Sequence, residues 1–235
     1  MLLKTLREEV LEANLELVRR GLVLCTFGNV SAVSREEGLV VIKPSGIPYE
    51  NMSADQMVVT DLEGKIVDGS LRPSSDLATH IVLYRCFPEI GGVAHSHSPY
   101  ATAWAQAHEP IPCLGTTHAD YYCGPVPVTD AMTEDEIRQD YETSTGHAIV
   151  RTLEPWRKTR PPGVLVASHG PFTWGANAAN AVENSAILEH IARMAYLTLS
   201  VNPATGPITE TLHHKHFLRK HGASAYYGQS GIKKE

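Results

Sequence analysis

The spacing of apolar residues in the first part of the chain predicts one helix followed by several short strands. From Leu3 to Leu17, apolar side chains recur every three or four residues, which predicts an amphipathic helix ending near Gly21. Short apolar runs bounded by turn residues then predict strands at residues 22–27, 30–34, 39–42, 57–60 and 65–67. The second and third of these strands should form one hairpin, and the last two should form another.

The remainder of the chain is expected to alternate helices with two buried strands. Helical spacing predicts helices over residues 76–87, 100–107, 133–141, 148–152, 178–199 and 209–221. Ser74 or Ser75 is expected to cap the first of these helices, with Asp76 in its first turn, and Gly146 is expected to break the helical pattern. Residues 92–94 and 164–167 are the predicted strands, and residues 111–128 a long loop or broken strand. This order of elements predicts one three-layer α/β domain, its sheet buried between helices.

Composition and charge narrow the classes of partner. The 235 residues are 43% hydrophobic, enough for one large domain, which we assign to residues 1–229 with a disordered tail at 230–235. The formal net charge of -6 offers no basic field for nucleic acid or anionic lipid. Four cysteines without C-x-x-C spacing fit a reducing compartment. With acidic residues in the first turns and no long apolar run, we expect a cytoplasmic protein that does not enter a membrane.

Three histidines follow predicted strands and suggest a metal site. His95 and His97 stand where the strand at residues 92–94 ends, and their spacing of two places them on the same side of the chain. A second apolar strand ends at His169. A bare H-x-H pair is often only a hydrogen-bonded surface feature, but the repeat of the same local pattern favours a three-histidine site, and imidazole suits zinc, copper, iron and nickel.

Three further segments combine glycine or proline with small polar residues. They are Gly28-Asn-Val-Ser31, Lys43-Pro-Ser-Gly46 and Pro73-Ser-Ser-Asp76. Each one alone could be an ordinary turn. Each could also present backbone N–H groups and hydroxyls to an anion, the last at a helix N-terminus, and Lys43 could supply positive charge. Together with a metal site they predict a phosphorylated substrate.

Seven ordered motifs carry a family resemblance that spans nearly the whole chain. They are G-N-V-S, K-P-S-G, P-S-S-D, H-S-H-S, G-T-T-H-A-D-Y, S-H-G-P-F-x-W-G and K-H-x-L-R-K-H-G-x-x-A-Y-Y-G. This set resembles the class II aldolase and epimerase family, in particular its L-ribulose-5-phosphate 4-epimerase branch. The resemblance implies a central, largely antiparallel sheet, a cyclic homotetramer, and active sites at subunit interfaces that a neighbouring chain completes.

The resemblance also implies roles for individual residues. One zinc ion per subunit would bind His95, His97 and His169, with Asp76 as an additional ligand or close partner, although manganese or cobalt could use the same ligands. The residues implied at the substrate phosphate are Gly28, Asn29, Lys43, Ser45, Gly46, Ser74 and Ser75. Asp120 and Tyr227 match acid/base positions, and His216 matches an active-site histidine from the adjacent subunit.

The implied reaction explains why these residue types are needed. The C4 hydrogen of ribulose 5-phosphate is not acidic, so inversion at C4 to give D-xylulose 5-phosphate requires cleavage of the C3–C4 bond, rotation of the aldehyde and re-addition. A Lewis-acid metal can stabilise the charge left by cleavage. Two groups on different segments, here Asp120 and Tyr227, could then serve the C4 oxygen from opposite sides.

Two other functions are compatible with the same motifs. A class II sugar-phosphate aldolase, which yields dihydroxyacetone phosphate, would share the metal and phosphate sites. Aldolases of this family typically carry glutamate after P-S-S, so Asp76 favours the epimerase, as do Asp120 and Tyr227. A non-catalytic binding module is the second alternative, and the presence of all three histidines together with Asp120 and Tyr227 counts against it.

Overall fold

The computed structural model of the chain describes residues 1–222 and 225–226. The role predicted for Tyr227 and the disorder predicted for residues 230–235 lie outside the described residues. The helices are α1 (Lys4–Arg19), α2 (Leu77–Cys86), α3 (Pro99–Ala107), α4 (Thr116–Ala119), α5 (Glu134–Gln139), α6 (Tyr141–Leu153), α7 (Ala178–Val201) and α8 (Glu210–His221). The strands are β1 (Asn29–Ser34), β2 (Leu39–Ile42), β3 (Val58–Asp61), β4 (Ile66–Asp68), β5 (Gly92–His95), β6 (Gly163–Val166) and β7 (Gly170–Gly175).

The described strands form one sheet in the order β4-β3-β2-β1-β5-β7-β6, and every neighbouring pair is antiparallel. Helices α1 and α7 pack on one face, and α2 and α6 pack on the other. The central strand β1 is buried along nearly its whole length because both faces are covered. The three-layer fold and both hairpins are therefore confirmed. No helix of residues 1–222 and 225–226 has both the length and the apolar character to cross a bilayer.

The strand predicted at residues 22–27 is wrong. This segment is a loop in which Leu24 and Phe27 are 73% and 55% exposed and Cys25 adopts a left-handed backbone conformation with φ 55°. Although its composition suits a strand, the segment pairs with none of the described strands, and the adjacent strand β1 already pairs with β2 on one edge and β5 on the other. The loop instead leads the chain to Gly28 and the start of β1.

The break predicted at Gly146 is also wrong, because α6 continues through this glycine. The interruption lies at Asp140, whose side chain accepts a hydrogen bond from the Thr143 N–H and caps α6. Gly146 instead permits close contact between α6 and α2. A β-carbon added to it would lie 2.6 Å from Cβ of Val82.

We expect Gly146→Ala to lower the free energy of unfolding by about 1–3 kcal/mol, since the new methyl group overlaps Val82. Alanine's helix propensity, worth about 1 kcal/mol over glycine, acts in the opposite direction and would dominate if the helix were exposed there. Urea denaturation of Gly146→Ala, Val82→Ala and the double variant measures the effect. Val82→Ala removes the two γ-carbons, which lie 2.9 and 3.1 Å from the added methyl group, and keeps the β-carbon. The double variant should therefore be less destabilised than the sum of the singles, and simple additivity would contradict the contact with these γ-carbons.

Residues 111–128, expected to be a long loop or a broken strand, contain isolated β-bridges and the short helix α4. Ile111 and Val126 form an antiparallel bridge, and α4 lies in the segment between these two residues; Val128 pairs with Leu165 of β6. The last helix, α8, packs against α4. This arrangement positions Asp120, the residue that follows α4.

Candidate active site

The three histidines converge at one end of the β5 and β7 strands. His95 is the last residue of β5 and is buried, His97 follows two residues later and is exposed, and His169 immediately precedes β7. One ring nitrogen from each lies within 4.8 Å of the others, and the Nε2 atoms of His95 and His97 are 3.0 Å apart. Neighbouring positions on a tetrahedral metal ion fit such spacing, so the group could hold a metal ion.

The protonation of the histidines suits metal binding. Burial lowers the pKa of His95 to about 3, and it also lowers the pKa of His97 and of His169. Neutral imidazole is the form that binds a metal. The Nδ1 atom of His95 lies 3.0 Å from the carbonyl oxygen of Pro171 and donates to it, which leaves the Nε2 lone pair for a cation.

Asp76 faces this histidine cluster. It occupies the N-cap position of α2, so the expectation that Ser74 or Ser75 caps the helix and that Asp76 lies in its first turn is wrong. Its carboxylate makes no capping hydrogen bond; instead it accepts one of 2.6 Å from Nδ2 of Asn29. Burial alone would raise the pKa of Asp76, but His95, His80 and the Asn29 amide outweigh it, and the pKa is lowered. Asp76 is therefore an ionised carboxylate beside neutral imidazoles.

A cavity of about 320 Å³ adjoins the histidines. Its lining includes every residue that the sequence assigned to the metal or to the phosphate, namely Gly28, Asn29, Lys43, Ser45, Gly46, Ser74, Ser75, Asp76, His95, His97 and His169. The loops at residues 43–46 and 72–76, which the sequence predicts to bind the phosphate, are called the phosphate-site loops. Two backbone hydrogen bonds join them, from Ser45 N to Arg72 O and from Ser74 N to Lys43 O, each 2.9 Å. Both loops are thus held on one wall of the cavity.

Lys43 and Gly28 shape the cavity in different ways. The Lys43 ammonium lies 3.3 Å from the Thr26 carbonyl oxygen and 4.9 Å from the centre of the Tyr49 ring, and burial lowers its pKa. Gly28 has φ 76°, and a β-carbon there would approach the His95 carbonyl oxygen to 2.8 Å. Only glycine therefore permits this path of the chain beside a candidate metal ligand.

Four further residues line the cavity that the sequence did not identify: Thr26, Phe27, Tyr141 and Glu142. The hydroxyl of Tyr141 lies 3.2 Å from Nδ1 of His169, so it can fix the orientation of that ring. The sequence could have indicated Tyr141 as the first residue of a helix capped by Asp140. The prediction of a single helix over residues 133–141 instead placed Tyr141 at a helix end.

Asp120 and His216 form a separate cluster and do not line the cavity of the described chain. The Asp120 carboxylate accepts hydrogen bonds from Arg219, at 3.0 and 2.6 Å, and lies 3.1 Å from Nδ1 of His216 and 3.6 Å from Nζ of Lys220. Burial would raise its pKa, but these partners on α8 outweigh burial and lower it. The structure thus brings Asp120 and His216 together, at a place apart from the histidine cluster.

The fold and the histidine site can now be compared with those of known protein families. The family model of the class II aldolase and adducin N-terminal domain matches residues 8–196, so the chain belongs to this family. A curated relative, the L-ribulose-5-phosphate 4-epimerase UlaF of Salmonella paratyphi B, is 53% identical over 227 residues, covering 97% of this chain and 100% of the relative. The corresponding protein of Salmonella typhi is also 53% identical over the same lengths.

Solved structures agree with this assignment. An L-fuculose 1-phosphate aldolase is 25% identical, with a TM-score of 0.78 over 92% of this chain and 96% of that chain. The L-fuculose-1-phosphate aldolase of Thermus thermophilus is 22% identical, with a TM-score of 0.65 over 87% of this chain and 98% of that chain, a likeness of fold alone.

Proposed function

We propose that the chain is a zinc-dependent L-ribulose-5-phosphate 4-epimerase that interconverts L-ribulose 5-phosphate and D-xylulose 5-phosphate. The observation that carries this proposal is the full-length identity of 53% to an enzyme of that name. The convergence of the histidines, Asp76 and the phosphate-site loops on one cavity supports it.

The cavity residues would bind the substrate at both ends. Hydroxyls of Ser45, Ser74 and Ser75, with the backbone at Gly46, would receive the phosphate, and the nearby ammonium of Lys43 would oppose its charge. His95, His97 and His169, with Asp76 beside them, would hold a zinc ion. When bound, that ion would supply Lewis-acid polarisation of the substrate's oxygen atoms.

Proton transfer at the C4 oxygen would fall to Asp120 and Tyr227. The lowered pKa of Asp120 keeps its carboxylate ionised at neutral pH, so that it could accept a proton as the C3–C4 bond breaks and return it on re-addition. His216, 3.1 Å away, would hold that carboxylate in place and complete the site.

We also propose that the site is shared between copies in a homotetramer. Asp120 and His216 lie outside the cavity lining of their own chain. None of the residues of α8 is buried, and its Leu212 and Leu218 are 41% and 55% exposed, which is what a helix packing against a neighbouring copy would require. A neighbouring copy could therefore present its Asp120 and His216 to the cavity.

An aldolase yielding dihydroxyacetone phosphate is the second candidate, favoured by the likeness to the L-fuculose 1-phosphate aldolase structure. Asp76 at the position after P-S-S favours the epimerase, as does the identity of 53% to the epimerase relatives. The two candidates differ in their products, so one set of assays separates them.

Removal and replacement of metal tests both candidates. We expect chelation to abolish formation of D-xylulose 5-phosphate from L-ribulose 5-phosphate in a coupled assay, and added zinc to restore it, because the three histidines are neutral and close together. Manganese and cobalt, added in parallel, identify the preferred metal. Release of dihydroxyacetone phosphate from a ketose 1-phosphate, without epimerisation, would assign the chain to the aldolases. Neither activity and no bound metal would leave only a binding module.

A further inference from the structure

One aromatic side chain stands open in the wall of the candidate active-site cavity. Among the described residues that line the cavity, Phe27 is the one whose side chain is purely hydrocarbon, since the others are glycines or carry polar groups. Its ring is 55% exposed, and the ring centre lies 6.0 Å from that of His97, with 31° between the two planes. An apolar surface therefore adjoins the exposed member of the histidine cluster.

Hydrogen bonds to backbone carbonyl groups hold this part of the chain in place. The Tyr49 hydroxyl lies 2.8 Å from the Phe27 carbonyl oxygen and 3.0 Å from that of Gly28, so its one proton is shared between them. The Lys43 ammonium donates to the Thr26 carbonyl oxygen at 3.3 Å. Because three successive carbonyl groups are anchored, the open position of the Phe27 ring belongs to a fixed backbone.

Phe27 stands between the two ends of the cavity. Its neighbour Thr26 is bound by Lys43, which would oppose the charge of the substrate phosphate. Two residues further along the chain, Asn29 donates to Asp76 beside the histidines. A substrate held by its phosphate at one end and by the metal site at the other would pass the Phe27 ring with its middle carbons, which include the C3–C4 bond.

The substrate is a suitable cover for this ring. Burying a phenyl ring is worth about 10- to 100-fold in an equilibrium constant. The carbon-bound hydrogens of a sugar phosphate offer an apolar surface to the ring, whereas its oxygen atoms and phosphate need the polar walls. Leu24, nearby in the same loop, is 73% exposed but does not line the cavity. Position in the cavity wall therefore distinguishes Phe27 from an ordinary exposed residue of the loop.

We propose that Phe27 covers the reacting C3–C4 bond and retains the two fragments between cleavage and re-addition. This inference rests on the proposed epimerase function. When the C4 hydroxyl loses its proton, its oxygen becomes that of the aldehyde, and the electron pair of the C3–C4 bond stays on the three-carbon fragment as an enediolate. An aromatic wall keeps water from this fragment and holds the aldehyde close to C3.

Without that wall, the fragments have a second fate. If water reaches the enediolate, C3 takes a proton from water, and the proton first removed from the C4 hydroxyl returns to the solvent. The products are then dihydroxyacetone and glycolaldehyde phosphate, which together contain all the atoms of the pentose phosphate. Release of these two fragments is thus the direct sign of a lost cover.

Product analysis of Phe27→Ala tests the inference, with zinc-loaded full-length protein and L-ribulose 5-phosphate. We expect kcat/KM for epimerisation to fall by about 10- to 100-fold. Release of dihydroxyacetone, measured with glycerol dehydrogenase and NADH, should rise at least about tenfold relative to epimerisation. Phe27→Tyr, which keeps the ring, should behave as wild type in both measurements. The exposure of the ring means that these substitutions should leave the fold intact.

Leu24→Ala is the matched control, because Leu24 is exposed in the same loop but lies outside the cavity lining. It should epimerise as wild type does and release no fragments. Normal epimerisation by Phe27→Ala, or lost epimerisation without released fragments, would overturn the inference while wild-type turnover preserved the proposed function. A changed assembly of Phe27→Ala in sedimentation velocity would instead assign the ring to contact with a neighbouring copy, and would also overturn it. A wild-type protein that forms no D-xylulose 5-phosphate would overturn both.

Discussion

His97→Asn is expected to lose its metal and to reduce epimerase turnover by about a thousandfold or more. Lewis-acid stabilisation is worth several kcal/mol of transition-state energy, and about 1.4 kcal/mol corresponds to a factor of ten. His97 is the exposed member of the three histidines, whereas His95 lies in the core at 1% exposure. The substitution should therefore leave the fold intact, which separates loss of metal from loss of structure.

Metal content by mass spectrometry and a thermal melt accompany the turnover measurement. His190→Asn, at an exposed position of α7 outside the cavity, is the matched control and should retain both metal and activity. Full activity of a metal-free His97→Asn protein would rule out the histidine site as the catalytic centre.

Asp120→Asn is expected to retain zinc and to lose about 10²- to 10⁴-fold in turnover, the usual contribution of a positioned general acid or base. Asparagine preserves the shape of the side chain but cannot take up a proton, and it is neutral beside Arg219 and Lys220. Zinc should be unaffected because Asp120 does not belong to the group of three histidines that could hold the ion.

The same variant also tests whether α8 remains docked, since the Asp120 carboxylate is its ionic anchor. Sedimentation velocity of Asp120→Asn, with the exposed substitution Asp130→Asn as control, should show the same assembly as wild type. Normal turnover by Asp120→Asn would exclude proton transfer by this residue. Lost turnover together with a changed assembly would instead assign it a role in the interface.

Local patterns predicted the parts of the fold that depend on neighbouring residues. Helix α1 and the hairpins follow from the apolar period and from turn chemistry. A capping box formed by Thr133 and Glu136 begins α5, where a helix was expected to start. The prediction of a strand at residues 22–27 failed because the adjacent strand β1 is already paired on both edges, which the sequence does not encode locally. The prediction of a helix break at Gly146 failed because this glycine permits close contact with Val82, which lies 64 positions away along the chain.

The candidate site was predictable where residues stand at strand ends or turns, and obscure where contacts cross the fold. His95, His97 and His169 shared one local pattern, and the family motifs added Asp76 and the phosphate-site loops. Tyr141 was missed because its contact with His169 depends on how α6 packs. The buried contact between Ser31 and His80 was missed for the same reason, since neither residue differs from an ordinary buried polar residue until β1 and α2 are placed together.

The most direct test of the proposed reaction is nuclear magnetic resonance of L-ribulose 5-phosphate incubated with the zinc-loaded protein in deuterium oxide. Cleavage and re-addition at the C3–C4 bond never remove the C4 hydrogen. The proposal therefore predicts D-xylulose 5-phosphate that carries protium at C4. Deuterium at C4 would contradict the retro-aldol mechanism, and the absence of D-xylulose 5-phosphate would contradict the proposed function itself.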